Sequence, residues 1–310
     1  MSEKKTLSIV VTAHNCGEFI SNSLNSILKS IADKLYLCEI IMVNDSSTDN
    51  TECILKSFSK NFQNIHYYYV DFHNIGLVRN YAIAKCSAEY ILMVDGDDLL
   101  IPNALSTIIE YLKTNKPQLL LTKLSEVYNY NFDIKPFNVK SIKKIRKKSI
   151  VVKYLKHKDV QSHFIGQFIQ TEYLKKYKFP AFKCYEDLYL FPEILRDSVD
   201  VHYTNQSLYL YIKRKGSLSN SVDVEKIEYL YRGIEHIDLL YRETHSSLVD
   251  GLWVNFFYKN RTHMINSDLS TITREKVNGI NFINFFLCVN VRLSVKRKLI
   301  KLYINKHIRS

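Results

Sequence analysis

Tyr90-Ile91-Leu92-Met93-Val94-Asp95-Gly96-Asp97-Asp98 is the stretch on which the fold turns. Its apolar and aromatic run reads as a buried strand. Three carboxylates within four positions then end it. Carboxylates crowded in this way repel one another unless a cation neutralises them. Mg2+ and Mn2+ take hard oxygen ligands and bridge to phosphates. Open α/β sheets bind ligands outside the carboxyl ends of their strands. The expectation is a central strand ending at a metal–diphosphate site. A solvated acidic turn, with Asp98 capping a helix at Pro102, is the plainer alternative.

Working outward, Leu7-Ser8-Ile9-Val10-Val11-Thr12 is a second buried strand, and Ile20, Leu24, Ile27, Leu28 and Ile31 follow at helical spacing. Glu39 to Val43 is a strand ending in the helix-starting cluster Asn44-Asp45-Ser46-Ser47-Thr48-Asp49. Ile65 to Val70 is a strand, Asn74-Ile75-Gly76 opens a helix, Pro102 marks a first helical turn, and Gln118 to Lys123 is a strand. Strands alternating with helices through short loops imply a mostly parallel sheet. Neither GxGxxG nor GxxxxGK[ST] follows the first strand, which argues against a dinucleotide site and a P-loop.

The 310 residues suffice for one or two domains, and 46% hydrophobic content marks a globular chain. Six cysteines without a CxxC pair read as reduced thiols of a cytoplasmic protein. The apolar run from Leu7 to Val11 is too short for a signal peptide. The stretch from Ile280 to Val291, broken by three asparagines, is too short to span a bilayer. The net charge is +12, yet residues 292–310 carry seven Lys/Arg and no acid. Without them the balance is 36 basic against 31 acidic. A second basic run, Lys143-Lys144-Ile145-Arg146-Lys147-Lys148, reads as a solvated loop or a site for an anionic acceptor.

Six segments, in order, resemble family 2 glycosyltransferases of the GT-A fold. They are Ser8 to Asn15 with Ser23 to Ile27, Glu39 to Asp49, Asn74-Ile75-Gly76 with Arg79-Asn80, Asp95-Gly96-Asp97-Asp98, Tyr185-Glu186-Asp187-Leu188, and Tyr209-Leu210-Tyr211 with Arg214 to Ser219. The resemblance implies a Rossmann-like α/β GT-A domain over 1–221, with a donor-nucleotide half to about residue 123 and an acceptor and catalytic half from 124. Residues 222–310 would form a helical C-terminal region. Departures fall at Thr12, Ala13 and His14, where the family carries Pro and Tyr, at Asn44 for an acid, and at Ser46 for Gly.

What the resemblance implies about the site follows residue by residue. Thr12 and Asn15 line the nucleoside. Asp45 accepts from the base imide, with a helix N-cap as its plainer role. Arg79 meets the base or diphosphate through its planar fork, or else forms a surface ion pair. Arg214 and Ser217 close on the leaving phosphate, or form an ordinary turn. Asp187 opens an apolar helix as general base, and Glu186 orients the acceptor or a loop. Mg2+ or Mn2+ is the expected cofactor, with Asp97 as its ligand and Asp95 facing the ribose or the metal's shell. The expected reaction is inverting transfer from a UDP-sugar to a glycan or lipid-linked acceptor in bacterial surface-polysaccharide synthesis. His157 and His163 read as structural histidines.

From Ile227 to Leu240 the apolar spacing is helical. Phe282, Phe285 and Phe286 precede the basic tail, a pattern of interfacial membrane binding. The expected location is therefore cytoplasmic and peripheral, at the inner face of the cell membrane. The rival readings are a nucleotidyltransferase on a similar sheet and a non-enzymatic basic protein that binds membrane or nucleic acid. Nucleic acid is not an expected partner of the enzyme.

Overall fold

The computed structural model of the chain describes residues 4–128, 135–157, 159–213, 223–265 and 267–304. Two compact units emerge. The first joins Met1–Lys147 to His163–Asn220, and the second joins Lys148–Ser162 to Ser221–Ser310.

The first unit is an α/β sheet of the GT-A kind. Its opening half alternates β1 (Leu7–Ala13), α1 (Ile20–Ile31), β2 (Cys38–Asp45), α2 (Thr51–Ser59), β3 (Ile65–Val70), α3 (Ile75–Lys85) and β4 (Tyr90–Asp95). These strands are parallel and ordered β3-β2-β1-β4. β1 and β2 are buried along their whole length, in keeping with their largely apolar and β-branched centres, and the buried Ser8 hydroxyl donates to the buried Glu39 carboxylate between them. β5 (Leu99–Leu100), α4 (Ala104–Asn115) and β6 (Leu119–Val127) follow. Then come β7 (Lys143–Lys144), β8 (Phe168–Gln170), α6 (Thr171–Leu174), α7 (Glu186–Asp197) and β9 (Val201–Ile212), with α5 (Lys147–Leu155), which belongs to the second unit, between β7 and β8 in the chain. The sheet continues β4-β8-β6-β9-β5, with β8 antiparallel to both β4 and β6. The parallel character thus belongs to the opening half, and the second half is mixed.

Two local expectations are corrected. Pro102 lies outside the helix it was expected to begin: α4 starts at Ala104, with Asn103 left-handed at its N-cap. The basic run at 143–148 is no plain loop. Lys143 and Lys144 pair with β9, Lys144 meets Asp200 at 2.7 Å, and Lys147 opens α5.

Register brings the strand ends level. Thr12 pairs with both Val43 and Asp95, and Ala13 pairs with Asn44. The acidic turn is then fastened from below by α1. Ser23 Oγ donates to the Asp95 carbonyl at 3.5 Å, Ser26 Oγ accepts from Leu100 N–H, and Ser30 Oγ accepts from Leu105 N–H. Their i, i+3, i+7 spacing puts the three hydroxyls on one helix face. Gly96 is dictated by space: a Cβ there would lie 2.9 Å from Cys16 Sγ and from Ile20 Cδ1.

The second unit is helical: α5, then α8 (Val224–Asn260), α9 (Asp268–Asn278), α10 (Phe282–Leu287) and α11 (Leu293–Ile304). Ile227, Tyr231, Ile234 and Ile237 form the buried stripe expected from their spacing. α8 breaks helical geometry at His245 (φ −141°, ψ 40°) and resumes. The buried Asp238 carboxylate holds the unit across that break, accepting from Arg242, Trp253 Nε1 (2.8 Å) and Lys276 (3.1 Å). Arg242 also reaches Asp250 beyond the break. No helix among the described residues is long and apolar enough to cross a membrane, and all six cysteines are free thiols.

Candidate functional site

Arg79 is the centre of the site. It lies on α3, is only 5% exposed, and ion-pairs with Glu186 at the start of α7. Its other terminal nitrogen is 3.8 Å from Asp95 Oδ1 at the end of β4. The guanidinium rests over the Phe179 ring, and its Nε has no acceptor among the described residues. It is therefore a buried bridge, not the surface ion pair that the sequence left open. Burial opposes its charge, and Glu186, Asp95 and Asp187 more than restore it, so the net shift is upward. α3 approaches closely because position 76 is glycine: a Cβ there would meet the Pro180 carbonyl at 2.0 Å.

Asp95 and Asp97 are part-exposed at the strand end, while Asp98 is fully buried. Asp98 does not cap a helix. Its carboxyl accepts from Ile212 N–H (2.8 Å) and from the Tyr209 hydroxyl (2.7 Å), and that hydroxyl accepts from Asp95 N–H (3.0 Å). The acidic turn is thereby locked to the end of β9. Burial and the neighbouring charges of Asp95 and Asp97 push Asp98 up to about 8. Burial also raises Asp95; Asp97 adds to that rise, and Arg79 and the Thr12 hydroxyl (3.1 Å) oppose it.

The Glu186–Asp187 pair splits in opposite directions. Burial raises Glu186 to about 7 although Arg79 opposes the rise. Asp187 is part-buried, which also pushes it upward, yet it falls below the ordinary carboxylate range. His163, 3.5 Å away, outweighs the burial with help from Arg79 and Leu188 N–H (2.9 Å). His163 is the residue that sequence reading missed. Only the fold, which buries the neighbouring Phe164 against Phe179 and Phe191, brings it to Asp187.

At the other strand ends, the Asp45 carboxylate accepts from three successive amides: Phe72 (2.7 Å), His73 (3.0 Å) and Asn74 (3.3 Å). Asn15 accepts from Thr48 N–H at 2.8 Å, so it joins the loops that follow β1 and β2. Ser46, where the resembling family has glycine, carries a φ of 46°. Asn15, His73 and Tyr185 are also left-handed, and such strain in non-glycine residues gathers at functional sites. Arg214 and Ser217 lie outside the described residues.

Three carboxyl groups (Asp95, Glu186, Asp187) thus act on one arginine, and Asp97 and Asp98 crowd the first of them. Among the described residues, no three His, Cys, Asp or Glu converge into a metal cage. Mg2+ needs no such cage: one or two carboxylates and substrate phosphates hold it. The excess charge and the upward push of Asp97 on Asp95 fit such a cation.

Residues 8–170 match the family profile described as glycosyl transferase family 2, and the chain belongs to that family. Glycosyltransferase GlyA of Streptococcus pneumoniae is 26% identical over 225 residues, 69% of this chain and 31% of that protein. A poly(ribitol-phosphate) beta-glucosyltransferase of Bacillus spizizenii is 34% identical over 123 residues, 39% of this chain and 19% of that protein. The chain spans about a third or less of these curated relatives. The crystal structure of S. aureus TarS 1-349 in complex with UDP-GlcNAc superposes with a TM-score of 0.63 at 20% identity, over 96% of this chain and 79% of that one. That likeness establishes the fold.

Proposed function

We propose that this chain is an inverting, metal-dependent glycosyltransferase. It moves a sugar from a UDP-hexose or UDP-N-acetylhexosamine to a glycan or lipid-linked acceptor, in bacterial surface-polysaccharide synthesis. The observation that carries this reading is the Arg79 bridge, which ties the cation-seeking strand end at Asp95 to the Glu186–Asp187 pair. Family membership supports glycosyl transfer. The UDP-GlcNAc complex of TarS supports a uridine nucleotide donor, and the poly(ribitol-phosphate) enzyme supports a surface-polymer acceptor.

In this reading residues up to about 123 bind the donor, 124–221 bind the acceptor, and 222–310 are a helical extension. Thr12 and Asn15 line the nucleoside. Asp45 Oδ2, which receives only the longer bond from Asn74, retains lone pairs for the base imide. Arg79 and, from the segment after β9, Arg214 and Ser217 steady the diphosphate. Asp97 and Asp95 hold Mg2+ or Mn2+, which when bound neutralises charge on the departing nucleoside diphosphate. Asp187, ionised at neutral pH because its pKa is depressed, takes the acceptor hydroxyl proton as that oxygen attacks the anomeric carbon. Glu186, held by Arg79, orients the acceptor side. One ionised base opposite a bound diphosphate gives direct displacement, and so inversion. The enzyme works at the inner face of the cell membrane, where lipid-linked acceptors are found.

A hydrolysis screen over UDP-hexoses and UDP-N-acetylhexosamines with Mn2+ tests the reading. At least one donor should be turned over by the wild type. EDTA and Asp97→Ala should both abolish that turnover, with the circular dichroism spectrum unchanged. Full activity in EDTA would overturn the metal assignment, and no turnover of any sugar nucleotide would overturn the donor.

A further inference from the structure

The helical unit carries a surface that its own core does not explain. α11 buries Val295, Leu299 and Leu302 on its inner face, as an amphipathic helix should. Its outer face is not simply polar. Leu293 (64% exposed), Ile300 and Ile304 (72%) project there, interleaved with the exposed Arg297 and Lys301. α10 and the turn after it expose three more aliphatics, Ile283 (70%), Leu287 (75%) and Val289 (90%), and α10 is joined to α11 through the Phe282–Tyr303 ring contact. Scattered exposed aliphatics are ordinary, but a contiguous patch marks an interaction site.

This surface is built rigidly. Phe285 is fully buried and anchors α10. Phe282 stacks on Phe286 with centroids 4.4 Å apart and meets Tyr303 of α11 edge-on at 5.9 Å, so both helices contribute to one surface. Lys296 donates to the Phe286 and Cys288 carbonyls at 2.8 and 2.9 Å, satisfying the end of α10. The apolar side chains are therefore held outward on a fixed frame.

We infer that this face of α10 and α11 docks on an anionic membrane surface. Charge decides between possible occupants. From Lys276 to Ile304 there are six Lys/Arg and no Asp or Glu. A second copy meeting the patch two-fold would set like charges against like without an acid to pair them. A lipid interface supplies both what the patch lacks: acyl chains for the aliphatics, and anionic headgroups for Arg297 and Lys301. Neither helix crosses the bilayer; α10 has six residues and α11 twelve, so both lie in its plane. The sequence paired the basic tail with Phe282, Phe285 and Phe286, but Phe285 is fully buried and exposed aliphatics stand beside the cations instead.

Vesicle co-sedimentation of the full chain tests this and needs neither donor nor acceptor, so its outcome is independent of the sugar-nucleotide screen. Phosphatidylglycerol/phosphatidylcholine vesicles should bind the protein, pure phosphatidylcholine at least tenfold more weakly, and added salt should release it. Leu287→Ser with Val289→Ser should lose at least tenfold in partitioning. Arg297→Gln with Lys301→Gln should lose several-fold and flatten the salt dependence. All four positions are exposed, so thermal melts should match the wild type. No binding to anionic vesicles at low salt would overturn the inference, as would binding indifferent to the serine pair. Self-association in light scattering that the serine pair abolishes, without vesicle binding, would assign the patch to a second copy instead.

Discussion

At the scale of single residues, Asp187 and Glu186 show how neighbours set chemistry. They are adjacent, Glu186 buried and Asp187 part-buried, yet Asp187 is held ionised and Glu186 is raised to about 7. Both feel the Arg79 guanidinium and each other, and the His163 imidazole beside Asp187 makes the difference. Asp187→Asn keeps the shape and removes the basicity, so transfer should fall by at least about 100-fold while UDP affinity, read by titration calorimetry, stays near the wild type. His163→Ala removes the largest influence that opposes burial, and so the Asp187 pKa must rise. The acid limb of the kcat/KM–pH profile, which reports ionisation of this base, should then move to higher pH. A merely structural histidine would lower activity equally at every pH.

The element scale belongs to contacts that fix where strands and helices end. Tyr209 on β9 is one: its hydroxyl is shared between Asp98 and the backbone of Asp95. Tyr209→Phe leaves a buried carboxyl without one partner and should cost about 1–3 kcal/mol. It should also raise the Mn2+ concentration needed for UDP to shift the thermal melt, because Asp95 and Asp97 ride on that turn. An equal metal requirement in mutant and wild type would leave Tyr209 as packing only. In the helical unit the corresponding contact is Asp238. Asp238→Ala strands the buried Trp253 N–H, takes the Asp238 partner from Lys276 and leaves Arg242 with Asp250, and should destabilise that unit by about 1–3 kcal/mol, measured by urea unfolding followed through the single tryptophan.

At the scale of the whole molecule, the basic tail does not behave as an appendage. α11 instead contributes Val295, Leu299 and Leu302 to the interior of the helical unit. Full burial of an aliphatic side chain is worth about 1.5–3 kcal/mol, so a chain truncated after Val291 should lose several kcal/mol there. Limited proteolysis should then cut α8 to α10 quickly while the α/β unit resists. Membrane binding is accordingly tested with point variants on the outer face, not with the deletion.

The sequence by itself determined the fold class, the order of the opening parallel strands with their helices, and the family. These rest on local pattern: apolar runs such as Ile9 to Val11 and Tyr90 to Val94 are buried wherever the chain folds. The acidic turn and the helix opened by Glu186 and Asp187 were legible for the same reason. Tertiary structure alone decided the rest. It separated Asp98, buried under Tyr209, from Asp95 and Asp97. It joined Arg79 to Glu186 across 107 positions and set His163 beside Asp187. It also inserted Lys148–Ser162 among the C-terminal helices. Those outcomes depend on which strand ends lie level and which loops cross them. No periodicity records such pairings, because the residues involved meet only after the sheet has closed.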